Sequence, residues 1–237
     1  MFLDKLCKTN PNLIQIAVHM HQQKQIMPDT YVVDVDQFIA NAKAILQKAN
    51  EQNIELYYML KQIGRNPYLA MELEKVGYKG AVVVDFKEAE VMMKYHLHIA
   101  HAGHLVQIPS MMINQLVEYG CDYITVYSYE KLVEINEAAK KVGISQKICI
   151  RVIGENDRIY SGQTAGFYLD QLEELVQKAK NLTHIEIAGV DNFPCFLYDE
   201  TTKQIEAQEN LFTVLKAKKI LEGLGCRIQN VNAPSAT

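Results

Sequence analysis

The sequence predicts an α/β protein whose parallel strands form a (β/α)8 barrel of the TIM type, and three observations lead to this fold class. Short β-branched or aromatic runs alternate with longer segments in which apolar residues recur at helical spacing. Polar or reactive residues recur directly after the predicted strands, where such a barrel collects its chemistry. No predicted strand is followed by a G-x-G-x-x-G loop, so a barrel is favoured over a doubly wound sheet.

The elements are predicted in chain order from the same two periodicities. Residues 10–25 are predicted to be helical, and the run 31–35 is predicted as a strand or a lead-in to a helix that Asp36 caps. The strands that follow are predicted at 54–60, 81–84, 98–105, 123–127, 147–153, 184–190 and 227–232. The helices between them are predicted at 66–76, 86–95, 110–119, 128–143, 169–179 and 203–222.

This series contains about seven barrel strands, whereas the complete fold needs eight. The last residues follow a predicted strand in a loop of the type that contacts ligands, which differs from the polar linkers typical of domain boundaries. We therefore expect a barrel truncated before its last strand and a sequence that is part of a longer one. Residues 1–28 are predicted to form an N-terminal helical segment, and residues 29–237 the barrel.

Composition narrows the classes of function. The 237 residues carry 24 Lys and Arg against 28 Asp and Glu, a formal net charge of -4, without a basic block. A general nucleic-acid binder is therefore not expected, and small-molecule chemistry is favoured. The longest apolar runs have the length of strands, so neither a membrane span nor a signal peptide is predicted.

Cysteine and histidine patterns indicate the compartment and argue against a metal site. The five cysteines are scattered without a C-x-x-C pair, which predicts free thiols in a reducing, cytoplasmic compartment. The histidines cluster at His96, His98, His101 and His104. In a strand His101 points away from His98 and His104, and no conveniently placed Asp or Glu completes a metal site. We therefore predict structural histidines and no metal.

A lysine at the end of a predicted strand is the strongest chemical signal. Residues 56–61 form an apolar run that ends directly on Lys61, and the chain then turns through Gly64 and Pro67. A lysine at the mouth of a barrel is expected to be partly desolvated, which frees its amine to form a Schiff base with a carbonyl compound. The alternative from the pattern alone is a solvated lysine at a strand end.

Two further segments carry candidate ligand contacts. The long polar loop after the strand at 147–153 is of the length often found at functional sites, and it could meet an anion or a phenolic oxygen. Its candidate residues are Arg151, Arg158, Gln163 and Thr164. Small and hydroxyl residues at 231–237 could offer backbone N–H and hydroxyl groups to a phosphate, although they are also ordinary turn residues. Asp191 and Asn192 are two further polar candidates for the site, although the aromatic residues beside them also indicate packing.

An ordered set of motifs carries a resemblance to a known family. Residues 58–61, Tyr-Met-Leu-Lys, resemble a first barrel strand that ends in a cofactor lysine. The remaining motifs match, in order, a second strand and helix, a fourth strand, an arginine-glycine loop, a sixth strand and a phosphate loop, at 80–90, 127–132, 162–167, 187–190 and 232–237. This order resembles the fold-type III pyridoxal-phosphate enzymes, typified by the alanine racemase N-terminal barrel. Across residues 29–237 it is most similar to their YhfX-type branch of amino-acid-racemase-like proteins.

The resemblance implies pyridoxal 5'-phosphate as cofactor and assigns a role to each matched residue. By it, Lys61 forms the Schiff base and carries protons at the α-carbon of an amino-acid substrate. Ser235 and Thr237 would hold the phosphate. Gln163 or Thr164 takes the place of an arginine that reaches the phenolic oxygen, and Phe193 that of a histidine stacked on the ring. The family's second racemisation base, a tyrosine donated across a homodimer interface, is not matched.

The resemblance thus implies a racemase or related α-carbon enzyme, and two alternatives stay open. A non-catalytic protein that binds or supplies the cofactor is one, because a fold does not fix a function. The other is a barrel aldolase or lyase in which Lys61 forms a Schiff base directly with a keto substrate.

Overall fold

The computed structural model describes residues 2–235 and begins with three helices, α1 (Phe2–Thr9), α2 (Pro11–Gln22) and α3 (Val35–Glu51). The amide of Asn10, between α1 and α2, donates to Asp34 Oδ2 at 2.8 Å. Asp34 caps α3 by accepting the N–H of Gln37, so the strand predicted at 31–35 and the cap predicted at Asp36 are both wrong. Tyr31 is 90% exposed, so this segment has no sheet to pack against.

The core of the fold is a parallel sheet covered by helices. Within the described residues, six strands lie in the order β1, β2, β3, β4, β6, β9, and β5 pairs with β4 outside this path. Their bounds are Ala81–Val83 (β1), Ile99–Ala102 (β2), Tyr123–Val126 (β3), Gln146–Ile153 (β4), Phe167–Tyr168 (β5), Ile185–Asp191 (β6) and Asn230–Asn232 (β9). The covering helices are Pro67–Val76 (α4), Phe86–Lys94 (α5), Ser110–Tyr119 (α6), Tyr129–Val142 (α7), Leu172–Ala179 (α8) and Glu209–Gly223 (α9). Branched aliphatic residues of the strands and helices form one continuous core.

The strand predicted at 54–60 is reduced to a single bridge between Tyr58 and Ala81. Tyr58 accepts from the N–H of Val82 at 2.7 Å and donates to the carbonyl of Gly80 at 3.0 Å. The pairing with β1 ends after this bridge, because the N–H of Leu60 donates to the side chain of Glu88, on α5, and not to a neighbouring strand. The backbone therefore turns into a 3-10 helix over Lys61–Ile63.

The sheet curls until its two ends approach each other. Asn230, on the last strand, donates its side-chain amide to the Tyr57 hydroxyl beside the first bridge at 3.1 Å. The result is a half-barrel of parallel strands, and the predicted α/β barrel class is confirmed. The interior of the curl carries polar side chains, among them Thr125, Arg151 and Asp191, so its apolar core lies on the helical side.

The structure contains a β-hairpin between β6 and α9 that the sequence did not predict. Its antiparallel strands are Phe196–Asp199 (β7) and Gln204–Ala207 (β8), joined by a turn in which Asp199 Oδ1 accepts two backbone N–H groups. The helix predicted from residue 203 therefore begins only at Glu209. The segment is too short and too exposed to bury a period-2 face, which is why it gave no strand signal. Among the described residues, no helix is long and apolar enough to cross a membrane.

Candidate active site

The candidate site lies at the carboxyl edge of the sheet, where the loops after the strands converge. Lys61 begins the 3-10 helix directly after the Tyr58 bridge, and Gly64 ends that helix in the left-handed region at φ +69°. The side chain of Lys61 is exposed, so the prediction of a partly desolvated lysine is wrong. Nearby, Arg65 and Asp85 form an ion pair at 2.7 Å that joins this loop to the start of α5.

A buried carboxylate fixes the backbone in front of Lys61. Glu88, on α5, accepts the N–H of Leu60 and the N–H of Val84, each at 2.8 Å. It therefore ties together the loops that follow the first two strand positions of the sheet. Burial raises the pKa of Glu88, and the two backbone donors only partly oppose this shift.

Arg151, on β4, is the most unusual side chain of the site because it is a guanidinium only 2% exposed. Its Nη2 donates to the carbonyl of Phe193 at 3.2 Å, whereas Nε and Nη1 are enclosed without any partner among the described residues. Enclosed donors on a charged group are costly unless something pairs with them. The side chain thus keeps unused hydrogen-bonding capacity in the interior of the curled sheet.

The predicted loop residues differ in how they meet Arg151. Gln163 is half-buried, and its Oε1 is a second enclosed atom without a partner in the described part of the chain. Gly166 lies against Arg151 so closely that an added Cβ would be 3.1 Å from Arg151 Cγ. Thr164 and Arg158 expose their side chains to solvent. The structure therefore brings the Gln163 loop to Arg151 but leaves Arg158 outside.

The predicted ring and phosphate positions lie beside each other. Phe193 is half-buried, and its ring meets Tyr160 at 5.8 Å and His104 edge-on at 5.7 Å between centroids. The loop of Ser235 runs against β7, and the Ser235 hydroxyl donates to the carbonyl of Phe196 at 3.3 Å. Thr237 lies outside the described residues.

A buried histidine–carboxylate pair was missed by the sequence prediction. His104 Nδ1 lies 2.8 Å and 3.0 Å from the two oxygens of Asp191, and Asn232 donates to Asp191 Oδ1 at 3.0 Å. Burial would raise the pKa of Asp191, but His104 and the Arg151 guanidinium outweigh it and hold that pKa below its usual value. The partner comes from a strand 87 residues away, so the sequence around the histidines does not show it.

The neighbouring His101 is enclosed in the same interior but has no carboxylate on its ring. Its Nε2 meets the hydroxyl of Thr125, and its Nδ1 is enclosed without a partner among residues 2–235. Burial lowers the pKa of His101 to about 4, so the ring is neutral near pH 7. No group of three or more His, Cys, Asp or Glu within the described part of the chain is placed to hold a metal ion.

A cavity of about 550 Å³ lies at the opposite, amino edge of the sheet. It is lined by residues that precede or begin the strands, including Tyr57, Lys79, His98, Asp122 and Lys147. His98 and Asp122 form an ion pair there at 2.7 Å, with both side chains nearly half exposed. None of the predicted site residues lines this cavity, so we place the candidate site at the carboxyl edge on chemical grounds.

The half-barrel, with a lysine after its first strand position and a polar cluster at its carboxyl edge, defines an α/β barrel domain of the kind that carries chemistry at that edge. The family described as alanine racemase, N-terminal domain, matches residues 33–236, and the chain belongs to this family. The resemblance drawn from the ordered motifs is confirmed. The YhfX protein of Escherichia coli (strain K12), described as uncharacterized, is 44% identical over all 237 residues, which cover 61% of its own length.

Solved structures with the same fold belong to enzymes of different names. Diaminopimelate decarboxylase from Helicobacter pylori, in complex with L-lysine, has a TM-score of 0.69 at 19% identity over 90% of this chain and 55% of its own. Alanine racemase of Clostridium difficile 630 has a TM-score of 0.62 at 17% identity over 85% and 49%. D-threonine aldolase from Filomicrobium marinum has a TM-score of 0.60 at 15% identity over 86% and 60%. The fold is thus common to a decarboxylase, a racemase and an aldolase.

Proposed function

We propose that this protein is a pyridoxal-phosphate enzyme that acts at the α-carbon of an amino acid, as an amino-acid racemase or a related enzyme. Family membership over residues 33–236 supports the cofactor class. One observation carries the assignment of the site: the exposed amine of Lys61 stands at the same sheet edge as the enclosed, unpartnered donors of Arg151. A cytoplasmic location and a homodimer stay predictions from the sequence.

The residues at this edge fit the cofactor's chemistry. Lys61 offers a solvent-accessible amine for covalent attachment to an aldehyde. The buried guanidinium of Arg151 supplies positive charge for an anionic group of the cofactor, and the half-buried Phe193 offers an apolar ring surface beside it. The hydroxyl of Ser235 and the neighbouring loop backbone would hold the phosphate, as the resemblance implies.

Each side chain then has a task in proton transfer at the α-carbon. When bound, pyridoxal phosphate withdraws electrons from the α-carbon of the amino acid it carries. Lys61 Nζ would take or return the α-proton of the substrate. Glu88 keeps the backbone before Lys61 in place, so the amine starts from a fixed position.

Spectroscopic titration with pyridoxal phosphate tests the proposal. After loosely bound cofactor is removed by dialysis, the wild-type chain is expected to retain a visible absorption band, whereas Lys61→Ala is expected to retain none. Lys79→Ala, which changes an exposed lysine at the opposite edge, is the matched control and should behave as the wild type does. An unchanged band in Lys61→Ala would contradict the assignment of Lys61.

A further inference from the structure

The proposed chemistry calls for a second proton-transferring group besides Lys61. Proton transfer on both faces of an α-carbon needs two groups, because one lysine reaches only the face on which it stands. The second group must therefore have the geometry of a general base and open to the carboxyl edge.

His104 has that geometry. His104 Nδ1 lies 2.8 Å and 3.0 Å from the two oxygens of Asp191 and 3.2 Å from the Asn232 amide nitrogen, and the carboxylate favours the tautomer with the proton on Nδ1 and the lone pair on Nε2. Nε2 makes no hydrogen bond within residues 2–235, yet it is not among their fully enclosed unpartnered atoms. Nε2 therefore keeps some accessible surface, although His104 as a whole is only 2% exposed.

Several contacts hold this ring in one position. The backbone carbonyl of His104 accepts from the Tyr127 hydroxyl, and Asn232 donates to the carboxylate behind the ring. The preceding Gly103 has φ +80°, and an added Cβ there would be 2.6 Å from the carbonyl of Thr125, so only glycine allows this turn. Phe193, predicted to face the cofactor ring, touches the edge of His104.

We infer that His104, oriented by Asp191, is the second proton-transferring side chain of the site and works on the face of the α-carbon opposite to Lys61. This inference rests on the proposed function and deepens it. In one direction the α-C–H bond breaks, its proton passes to His104 Nε2, and the electron pair remains with the substrate. A proton from the Lys61 ammonium then forms the new C–H bond, after which solvent takes a proton from His104 and returns one to Lys61.

Exchange of the α-proton of each enantiomer in D2O tests this inference, with L-alanine and D-alanine as first probes and the other amino acids after them. For His104→Gln we expect exchange from one enantiomer to fall about 100-fold or more while the other enantiomer still exchanges through Lys61. Lys61→Ala removes the attachment of the cofactor and stops both. A merely structural role of His104 would slow both enantiomers alike, and that result would overturn the inference.

The control variant is His98→Gln, because His98 also pairs with a carboxylate, Asp122, but lies at the amino edge of the sheet. It should leave exchange of both enantiomers as in the wild type. The visible band formed with pyridoxal phosphate separates the two proposals. A wild-type chain without the band contradicts the proposed function itself, whereas a band in His104→Gln with unchanged exchange overturns only the role of His104.

A second measurement needs neither cofactor nor turnover. Nitrogen-15 NMR of the histidine rings in the wild-type chain, with His104 assigned by the signals lost in His104→Gln, reports which ring nitrogen carries the proton. We expect the Nδ1–H tautomer for the neutral ring and a change in its Nε2 shift on addition of pyridoxal phosphate. An Nε2–H tautomer would overturn the inference, because the basic nitrogen would then face Asp191.

Discussion

Two sides of the candidate site, at the same edge of the sheet, differ in how much the protein encloses them. On the open side, Lys61, Thr164 and Ser235 expose their side chains. On the enclosed side, Arg151, His104 and Asp191 are buried. His104 pairs with Asp191, and Arg151 donates to the carbonyl of Phe193.

This difference in burial indicates that the two sides have different roles. Exposed groups cost the fold little and can change partners, which suits attachment and release of a ligand. Buried charged groups are costly, and they keep a fixed geometry only when their partners are in place. We therefore expect variants on the enclosed side to affect stability, and variants on the open side to affect binding with little change in stability.

The largest effect on stability is expected from Asp191→Asn, which tests the enclosed side of the site. This variant removes the carboxylate that offsets the buried Arg151 charge and that pairs with His104 Nδ1, and a buried charge left uncompensated costs about 3–5 kcal/mol. Urea unfolding followed by circular dichroism measures the difference at pH 7. The matched control is Asp122→Asn, which breaks the half-exposed pair with His98 and should cost no more than about 1 kcal/mol. Equal costs for both variants would remove the distinction between enclosed and exposed pairs.

The next largest effect is a pH dependence that comes from His101. Burial lowers the pKa of His101 to about 4 from 6.5, so between these values the unfolded chain binds a proton that the folded chain does not. Stability should therefore fall as the pH falls from 6.5 to about 4, by up to about 3 kcal/mol from this group. His101→Gln removes this contribution, so the difference between the two stability curves isolates it. Parallel curves over this window would contradict a buried neutral ring.

Glu88→Gln tests a buried residue that lies between the two sides, because Glu88 fixes the backbone in front of the exposed Lys61. The glutamine oxygen can accept the N–H of Leu60 or of Val84 but not both, and its amide then faces the other donor. An unsatisfied buried N–H costs about 2 kcal/mol, so the midpoint of urea unfolding at pH 7 should fall accordingly. Glu90→Gln, an exposed position on the same helix α5, serves as control and should change stability little.

The smallest expected effect on stability belongs to Lys61. Its side chain is exposed and lies outside the core, so Lys61→Ala should change the free energy of unfolding by less than about 0.5 kcal/mol. Thermal unfolding monitored by circular dichroism is sufficient to measure this. A loss of more than about 2 kcal/mol would place Lys61 among the structural residues and blur the division between the two sides.

Local signals in the sequence predicted the helices and most strands. The helix predicted at 128–143 is confirmed, and its bounds fall on Ser128 and Gly143, which cap α7. The first barrel strand was overestimated because Glu88, 28 residues after Leu60, takes the N–H that a ladder would use. Propensity alone carries no information on such a contact.

The enclosed side of the site could not be predicted for the same reason. His104 lies in the loop after β2 and Asp191 ends β6, so the two residues meet only when the sheet curls. Arg151 was a candidate from its place at a strand end, but its burial and its two unpartnered nitrogens depend on the loop around Gly166. Lys61 was predicted as a site residue from its position at a strand end, but the exposure of its side chain was not predicted.

The most direct test of the account is to reduce the chain with borohydride after addition of pyridoxal phosphate and to map the modified peptide by mass spectrometry. Many exposed lysines compete for the aldehyde, so only a built site selects one of them. We predict that the reduced cofactor mass falls on the peptide that contains Lys61. A label spread over the surface lysines, or no label, would contradict the claim that the carboxyl edge of this half-barrel is a pyridoxal-phosphate site.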